Sequence, residues 1–328
     1  MSKIQNSYKW QGRQDAEGTE KSRRWHQVIN QQAKTGDVAL VGFCCDLGVK
    51  ANQGRLGANL GPDALRAALA NLAWHGQQSV NDLGNILQGT TLDEAQTDYA
   101  KAICNALSSH QLVIGLGGGH EIAWGSFQGL ERYIESKQSS SQSITQSKPQ
   151  RRIGIINFDA HFDLRKPAPL ASSGTPFYQI AMHCEQHQQP FNYACLGVSE
   201  SANTQLLFER ATQLGVTYLR DEQCQLNSAK YLLTPMLEDI DELYVTVCLD
   251  AFPAAIAPGV SAPAALGIDV QFVIDMLLWL HQQQHVYQYA WRMFDIAELN
   301  PEFDLDKRTA RLAARLVYEV VRCSDNGR

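Results

Sequence analysis

From residue 36 onward, short apolar runs alternate with stretches of helical period, and this alternation constrains the fold more than any other feature. The runs at 37–44, 152–160 and 242–250 are apolar at most positions, as strands buried on both faces are. A helix between consecutive strands lets them run parallel and lets helices cover both faces of the sheet. The pattern therefore predicts one α/β domain with a central, mostly parallel sheet.

The pattern also divides the chain. Residues 1–35 are polar and are predicted to form an N-terminal arm, whereas 36–328 form the single domain. Residues 135–150 are rich in Ser and Gln and have little to bury, so we expect a flexible surface insertion there. Further strands are predicted at 111–119, 193–198, 215–219 and 287–298, and helices at 62–74, 92–109 and 309–323.

Composition argues against several kinds of partner. The formal net charge is −6, whereas nucleic acids and anionic membranes call for clustered Lys and Arg. No apolar run approaches the roughly 20 residues that span a bilayer, and the N-terminus lacks the apolar segment of a secretory signal. The eight cysteines are scattered without a C-x-x-C pair, which indicates reduced thiols. We therefore expect a cytoplasmic protein that binds neither nucleic acid nor membrane.

The strongest local signal is Asp159, His161 and Asp163, directly after the apolar run at 152–160. Side chains at every second position of an extended segment point the same way, so these three are predicted to converge. Two carboxylates so close together resist burial unless a cation compensates them. Oxygen and imidazole ligands together suit Mn²⁺. The alternative is a polar loop in which each side chain is solvated separately.

Three other predicted strands end in polar side chains. His120 follows the glycines 117–119, Asp250 closes the run at 242–250, and Glu298 interrupts an apolar run. Taken singly, they could be a histidine at a helix start, a turn cap and a solvated glutamate. Because open α/β sheets place their sites at the carboxyl ends of strands, the clusters together favour one shared site.

These motifs resemble, in order and spacing, those of the arginase/agmatinase/formimidoylglutamase (ureohydrolase) family over about 36–320. The resemblance implies a three-layer α/β/α sandwich around the parallel sheet and a centre of two Mn²⁺ ions. The motifs that carry it are G-G-G-H-E (117–121), D-A-H-F-D (159–163), C-L-D (248–250) with A-P-G-V-S-A-P (257–263), and D-I-A-E-L-N-P (295–301).

Other segments resemble the formimidoylglutamase branch in particular. Arginase and agmatinase relatives usually carry a histidine near the position of Ser173 or Phe177, and its absence here counts against both activities. The branch implies hydrolysis of N-formimidoyl-L-glutamate to L-glutamate and formamide, late in histidine breakdown. The segments are W-Q-G-R (10–13), G-V-x-x-N-x-G-R-x-G-A (48–58), F-D-L-R (162–165), S-S-G-T-P-F (172–177) and N-P-E-F-D (300–304).

The resemblance also implies roles for single residues. Two cations would lower the pKa of a shared water, so that hydroxide forms near neutral pH and attacks the amidine carbon. Glu298 matches the carboxylate that holds the cationic group, and Asp163 is a candidate proton carrier. The matches to the family's metal ligands are His120, Asp159, His161, Asp163 and Asp250.

Three arginines are candidates for binding the two carboxylates of the small-molecule substrate. They are Arg165, Arg55 and Arg13, and the alternative for each is an ordinary surface position. Members of this family are often oligomeric, which leaves a homo-oligomer open.

Cys248 departs from the family's S-x-D-x-D pattern, because it stands where the first, metal-bridging aspartate belongs. A thiolate offers one soft sulfur, better matched to Zn²⁺ or iron than to Mn²⁺. The alternative is a small buried strand residue. Three interpretations therefore stay open: a formimidoylglutamate hydrolase, an enzyme for another amidine or guanidine such as guanidinobutyrate, and a catalytically silent relative.

Overall fold

The computed structural model describes residues 4–5, 8–140 and 151–324. Within them, one sheet contains nine strands in the order β1-β3-β2-β4-β9-β8-β5-β6-β7, in which β1 is antiparallel to β3 and all other neighbours are parallel. In chain order the strands are β1 (Ile4–Gln5), β2 (Gly36–Cys44), β3 (Val80–Leu87), β4 (His110–Leu116), β5 (Ile153–Phe158), β6 (Asn192–Val198), β7 (Thr217–Arg220), β8 (Glu242–Cys248) and β9 (Ala290–Ala297).

Helices cover both faces of this sheet, which confirms the predicted three-layer α/β/α architecture. α1, α3, α8, α9 and α10 pack on one face, and α4 to α7 pack on the other. The helices are α1 (Trp25–Val28), α2 (Leu47–Ala51), α3 (Gly61–Leu69), α4 (Leu92–Leu107), α5 (Ile122–Ser140), α6 (Pro176–Gln186), α7 (Gln205–Gln213), α8 (Leu226–Asp239), α9 (Val270–Tyr287) and α10 (Arg308–Cys323).

The two-sided burial follows from the strand period. In β2, Val38 and Leu40 enter the core on one face, while Ala39 and Val41 enter the core on the other. Apolar residues at consecutive positions are therefore buried at almost no exposure. This is why the central strands were recognisable from the sequence as continuous apolar runs.

β3 was not predicted, because its sequence is polar. Asn81, Asp82 and Asn85 are buried in it. The Asp82 carboxylate accepts two hydrogen bonds from the guanidinium of Arg66 on α3, at 3.0 and 2.8 Å, and both side chains are fully buried. A paired charge of this kind can occupy a core position that apolar pattern analysis assigns to a loop.

The N-terminal arm packs on the domain, because Trp25 is fully buried and lies edge-on against Trp74 with ring centroids 5.1 Å apart. The predicted flexible insertion at 135–150 is wrong for 135–140, which complete α5, and its remainder lies outside the described residues. All eight cysteines are free, as predicted. In the described part of the chain, no helix has the length and apolar character needed to cross a membrane.

Candidate metal centre

Four neighbouring strands, β4, β9, β8 and β5, end at the same edge of the sheet. They carry all the predicted metal ligands and Glu298. Their adjacency brings together side chains that lie up to 178 positions apart, as the pair His120 and Glu298 shows. The carboxyl edge of a parallel sheet is where such folds place their sites.

The turn after β4 passes through a space that admits only glycine. A Cβ on Gly117 would lie 2.3 Å from the carbonyl oxygen of Ile296, and one on Gly118 would lie 1.9 Å from that of Cys45. The chain can therefore cross closely over β2 and β9 before it presents His120. The backbone N–H of His120 then donates to Oε1 of Glu298 at 2.9 Å.

The loop after β5 differs from the prediction. The strand ends at Phe158, and the residues that follow are not extended. Asp159 Oδ1 accepts a hydrogen bond from the backbone N–H of His161 at 2.7 Å, and Asp163 has a left-handed φ of 48°. A non-glycine residue in that conformation costs on the order of 1–3 kcal/mol, which the surrounding contacts must offset. The three side chains do converge, but through a turn rather than along one strand face.

The ligand atoms form two groups that share Asp159. In the first group, those of His120, Asp159 and Cys248 all lie within 4.8 Å of one another, and in the second those of Asp159, His161 and Asp250 do so. Asp163 adjoins the first group, with Oδ2 2.9 Å from Nδ1 of His120. Two cation positions bridged by one carboxylate fit this arrangement.

The unpaired atoms of these groups fit cations rather than hydrogen-bond donors. Nδ1 of His120 lies 2.9 Å from Asp159 Oδ2 and 2.9 Å from Asp163 Oδ2 but makes a hydrogen bond with neither. Nε2 of the same ring lies 3.1 Å from Oγ1 of Thr246, so a proton on Nε2 can be donated there. That tautomer leaves the Nδ1 lone pair facing carboxylate oxygens, an arrangement that a metal ion completes. Asp250 Oδ1 is likewise buried without a donor.

The pKa values of the clustered carboxyl groups also indicate a site for cations. Burial and the neighbouring Asp159 raise the pKa of Asp163 to about 6, and burial and Asp159 also raise the pKa of Asp250. Burial raises the pKa of Asp159 as well, but its contacts with His120 and His161 outweigh that effect and leave this pKa below the usual value. The cluster therefore resists full ionisation by itself, whereas cations would favour the ionised carboxylates.

Cys248 belongs to this cluster and is not a remote core residue. Its side chain is buried at the end of β8, and burial followed by the charges of Asp159 and Asp250 raises the pKa of the thiol well above its ordinary value. The thiolate would therefore form only with a cation beside it.

Glu298 presents a free oxygen at the same edge. It has a left-handed φ of 69°, and its N–H donates to the carbonyl of Gly118 at 2.8 Å. Oε1 accepts from His120, whereas Oε2 is buried with no donor among the described residues. Burial, followed by the charges of Glu121 and Asp250, raises its pKa well above the usual range. A bound cationic group would satisfy the free oxygen and favour the carboxylate.

The three predicted arginines have different surroundings in the structure. Arg165 lines a cavity of about 360 Å³ together with Lys166 and Arg210. The guanidinium of Arg55 lies over the ring of Phe303, 4.9 Å from its centroid.

Arg13 is not brought to the centre. It pairs with Asp15, and its backbone N–H donates to Asn71 beyond the end of α3. α3 begins beside Leu299 at the carboxyl edge and runs away from it, so Arg13 lies at the far end of that helix.

Sequence reasoning passed over several residues of the site. Glu121 lies in the G-G-G-H-E motif without a role of its own there, although burial raises its pKa to about 7 and its carboxylate accepts a hydrogen bond from the loop after β2. Lys166 and Arg210 gave no local signal. Lys166 is a single lysine on a loop, and α7 brings Arg210 to the cavity from a distant part of the chain. Phe177, one of the two positions near which arginases usually carry a histidine, packs edge-on against His120 with ring centroids 5.5 Å apart.

The chain is similar to known proteins over most of its length. The model of the arginase family matches residues 36–323. A formimidoylglutamase from Hahella chejuensis is 47% identical over 312 residues, a match covering 94% of this chain and 92% of the relative. One from Vibrio cholerae is 47% identical over 326 residues, covering 95% and 93%. The crystal structure of Trypanosoma cruzi formiminoglutamase with Mn²⁺₂ is similar in fold, with a TM-score of 0.77 at 22% identity, covering 93% of this chain and 99% of that one.

Proposed function

This chain belongs to the arginase family, as its motifs predicted, and we propose that it hydrolyses N-formimidoyl-L-glutamate to L-glutamate and formamide. The observation that carries the proposal is the position of the free Glu298 oxygen beside two groups of metal-ligating atoms that share Asp159. A buried carboxylate oxygen without a donor suits a planar, cationic amidinium. The curated relatives support this substrate.

We propose a centre of two Mn²⁺ ions. His120, Asp159, Asp163 and Cys248 would hold one ion, and Asp159, His161 and Asp250 would hold the other. When bound, the ions supply a water whose pKa is low enough for hydroxide to be available near neutral pH. The donor set is mostly oxygen and imidazole, which supports Mn²⁺, while the thiol of Cys248 is the softer exception.

The side chains of the chain would perform the remaining steps. Glu298 orients the amidinium, so that its carbon faces the water side of the centre. After hydroxide adds to that carbon, the bond from the carbon to the glutamate nitrogen breaks. Asp163, whose Oδ2 lies 2.9 Å from Nδ1 of His120 at the centre, would accept the proton that the water loses and deliver it to this leaving nitrogen. The products are then formamide and L-glutamate.

The cationic cavity supports a glutamate derivative over a simple amidine. Arg165, Lys166 and Arg210 line it, next to the loop that carries Asp163. Arg165 and Lys166 could each pair with a carboxylate of the substrate, whereas one N–H of Arg210 already donates to the carbonyl of Leu164. Agmatine and guanidinobutyrate carry fewer carboxylates and would therefore form fewer ion pairs with these cationic side chains.

We place the reaction in histidine degradation and the protein in the cytoplasm, as the sequence predicted. The direct test is release of formamide and L-glutamate from N-formimidoyl-L-glutamate by Mn²⁺-reconstituted protein, with arginine, agmatine and guanidinobutyrate alongside. Turnover of the formimidoyl substrate alone is the expected result. Preferred turnover of guanidinobutyrate would replace the substrate, and turnover of none would favour a silent relative.

A further inference from the structure

Residues 46–57, here called the 46–57 segment, connect β2 to α3 along the carboxyl edge of the sheet. Ala51 and Asn52 of this segment line the cationic cavity together with Arg165. The segment is therefore one wall of the space that the proposed substrate occupies. The segment contains none of the proposed metal ligands, and buried side chains from two neighbouring turns hold it in place.

Glu121 binds one side of this segment. Its Oε1 accepts a hydrogen bond from the backbone N–H of Gly48 at 2.8 Å, and the residue is fully buried. The carboxylate lies between two glycines. A Cβ on Gly48 would be 2.4 Å from Cδ of Glu121, and one on Gly119 would be 2.0 Å from Oε2. The chain thus leaves space at two positions for one buried side chain that contacts the segment.

Asn300 binds the other side. Its Nδ2 donates to the carbonyl of Arg55 at 3.1 Å and to that of Leu56 at 2.9 Å, and the residue is fully buried. Gly57 follows these two residues, and a Cβ on it would lie 2.4 Å from Oδ1 of Asn300. The N–H of Gly57 donates to Oδ2 of Asp46 at 2.9 Å, which closes the segment on itself.

Glu121 and Asn300 both lie in turns that carry residues of the proposed site. Glu121 is next to His120 after β4, and Asn300 is two positions beyond Glu298 after β9. The segment is therefore tied by side chains to the same two turns that present a metal ligand and the free carboxylate. Neither residue is a proposed metal ligand or the proposed amidinium carboxylate, although the charge of Glu121 raises the pKa of Glu298.

We propose that Glu121 and Asn300 are positioning residues that hold the 46–57 segment as a fixed wall of the substrate cavity. The cavity's assignment to the glutamate part of the substrate rests on the proposed function. Releasing the wall should weaken binding of the carboxylate-bearing substrate, because the cavity would no longer be preorganised, and should leave the hydrolytic step nearly unchanged. The expected signature is a raised KM at similar kcat.

Trypsin provides a test that does not depend on activity. The segment contains two exposed cleavage sites, Lys50 and Arg55. Glu121→Ala and Asn300→Ala should each speed cleavage at these sites by about tenfold, since loss of a buried partner has an effect of that order. Glu121→Gln keeps an acceptor for Gly48 and should restore resistance. Glu131→Ala, farther along α5 where Glu131 pairs with His183, is the matched control and should cleave like the parent protein.

Kinetics on the Mn²⁺-loaded variants complete the test. In Asn300→Ala, KM for N-formimidoyl-L-glutamate should rise about tenfold with kcat within about threefold, while kcat/KM for N-methylformamidine, which lacks both carboxylates, should not change. In Glu121→Ala the same KM should rise, and the lost charge beside Glu298 acts on both substrates alike. Parent-like cleavage in both alanine variants would overturn the proposal, as would an equal loss on both substrates in Asn300→Ala. If Glu121→Ala does not fold, Asn300→Ala decides alone. Absence of turnover in the parent protein would remove the proposed function, and the cleavage pattern would still decide the role of these residues.

Discussion

The backbone N–H of His120 donates to Oε1 of Glu298 at 2.9 Å, which joins a proposed metal ligand to the proposed substrate carboxylate. β4 and β9 are parallel neighbours, paired from Val113 with Met293 to Leu116 with Ile296. The register fixes the two turns relative to each other, so sheet pairing sets the distance between the proposed metal centre and the proposed amidinium position. One oxygen of Glu298 serves this structural contact, and the other is free for substrate.

Glu298→Gln should separate these two roles. The amide oxygen can still accept from His120, so the turn is retained, but the charge that holds the amidinium is lost. We expect kcat/KM for N-formimidoyl-L-glutamate to fall by about 10- to 100-fold, the value of a charge-assisted hydrogen bond. Manganese content, measured by mass spectrometry of the dialysed protein, should not change. Glu302→Gln, on the exposed turn that follows, is the control, and an equal loss there would contradict the assignment.

Removal of metal should destabilise the protein. The buried groups around Asp159 include several carboxylates whose mutual repulsion a bound cation would relieve. At a free Mn²⁺ concentration of 100 times Kd, linkage adds about 2.7 kcal/mol to the free energy of unfolding. Tm should therefore rise by several degrees when Mn²⁺ is added to chelator-treated protein, as measured by differential scanning fluorimetry. Mg²⁺ at the same concentration serves as the control, and equal shifts would argue against a manganese site.

Mn²⁺ binding should release protons and tighten as pH rises. In the metal-free protein the pKa of Asp163 is raised to about 6, and the pKa values of His120 and His161 are raised by their carboxylate partners, whose effect exceeds that of burial. Raised values mean that the folded, metal-free site holds more protons than the unfolded chain. Its stability therefore decreases as pH rises, through about 6 for Asp163 and from the ordinary histidine pKa upward for the two imidazoles, while affinity for Mn²⁺ increases over the same range. Calorimetric titrations in two buffers of different ionisation enthalpy would measure the released protons, and buffer-independent heats would contradict this prediction.

Much of the site could be predicted because its chemistry is concentrated at strand ends. The runs before Asp159 and Asp250 are apolar on both faces, so the first polar residues after them had to lie at the carboxyl edge of a parallel sheet. The geometry of the loop could not be predicted. Asp163 has a left-handed backbone, which an aspartate rarely adopts, and its Oδ2 lies beside Nδ1 of the chain-distant His120, so the local sequence gave no signal of this contact.

The cavity was harder to predict, because it depends on tertiary structure. Arg13 and Arg165 gave equal signals as arginines in family-like motifs, yet only Arg165 lines the cavity, whereas Arg13 binds Asn71 beyond the end of α3. Lys166 and Arg210 gave no signal, since a single Lys or Arg on a loop or helix is common on any surface. The polar strand β3 was not predicted either, because its burial also depends on tertiary structure: Arg66, from α3, compensates the charge of Asp82.

Arg165→Met should raise KM for N-formimidoyl-L-glutamate by about tenfold or more, since an ion pair with a substrate carboxylate would be lost. Arg13→Met is the matched control, because the Arg13 side chain is exposed and paired with Asp15 away from the cavity. We expect its KM to equal that of the parent protein. Steady-state kinetics on both variants check the difference, and a larger effect at Arg13 would contradict the location of the carboxylate site.

Cys248 offers the sharpest test of the metal centre, because its side chain lies in the position where the family pattern has a bridging aspartate. The thiol sulfur is buried within 4.8 Å of ligand atoms of His120 and Asp159, and its raised pKa favours the protonated thiol unless a cation is bound. An aspartate at this position would bring two hard oxygens and a permanent charge. Cys248→Asp should therefore raise Mn²⁺ occupancy and activity, and it should lower the preference for Zn²⁺ over Mn²⁺.

Cys248→Ser separates charge from volume, because the hydroxyl has nearly the size of the thiol but does not ionise near neutral pH. If Cys248 binds metal as a thiolate, this variant should lose occupancy at the first position, while the group of Asp159, His161 and Asp250 retains its ion. Cys323→Ser, at the end of α10 and away from the centre, is the matched control. Metal stoichiometry measured at a fixed free Mn²⁺ concentration decides the question. Equal stoichiometry in all three variants and the parent protein would mean that Cys248 is a buried strand residue and that the remaining carboxylates and imidazoles hold both ions without it.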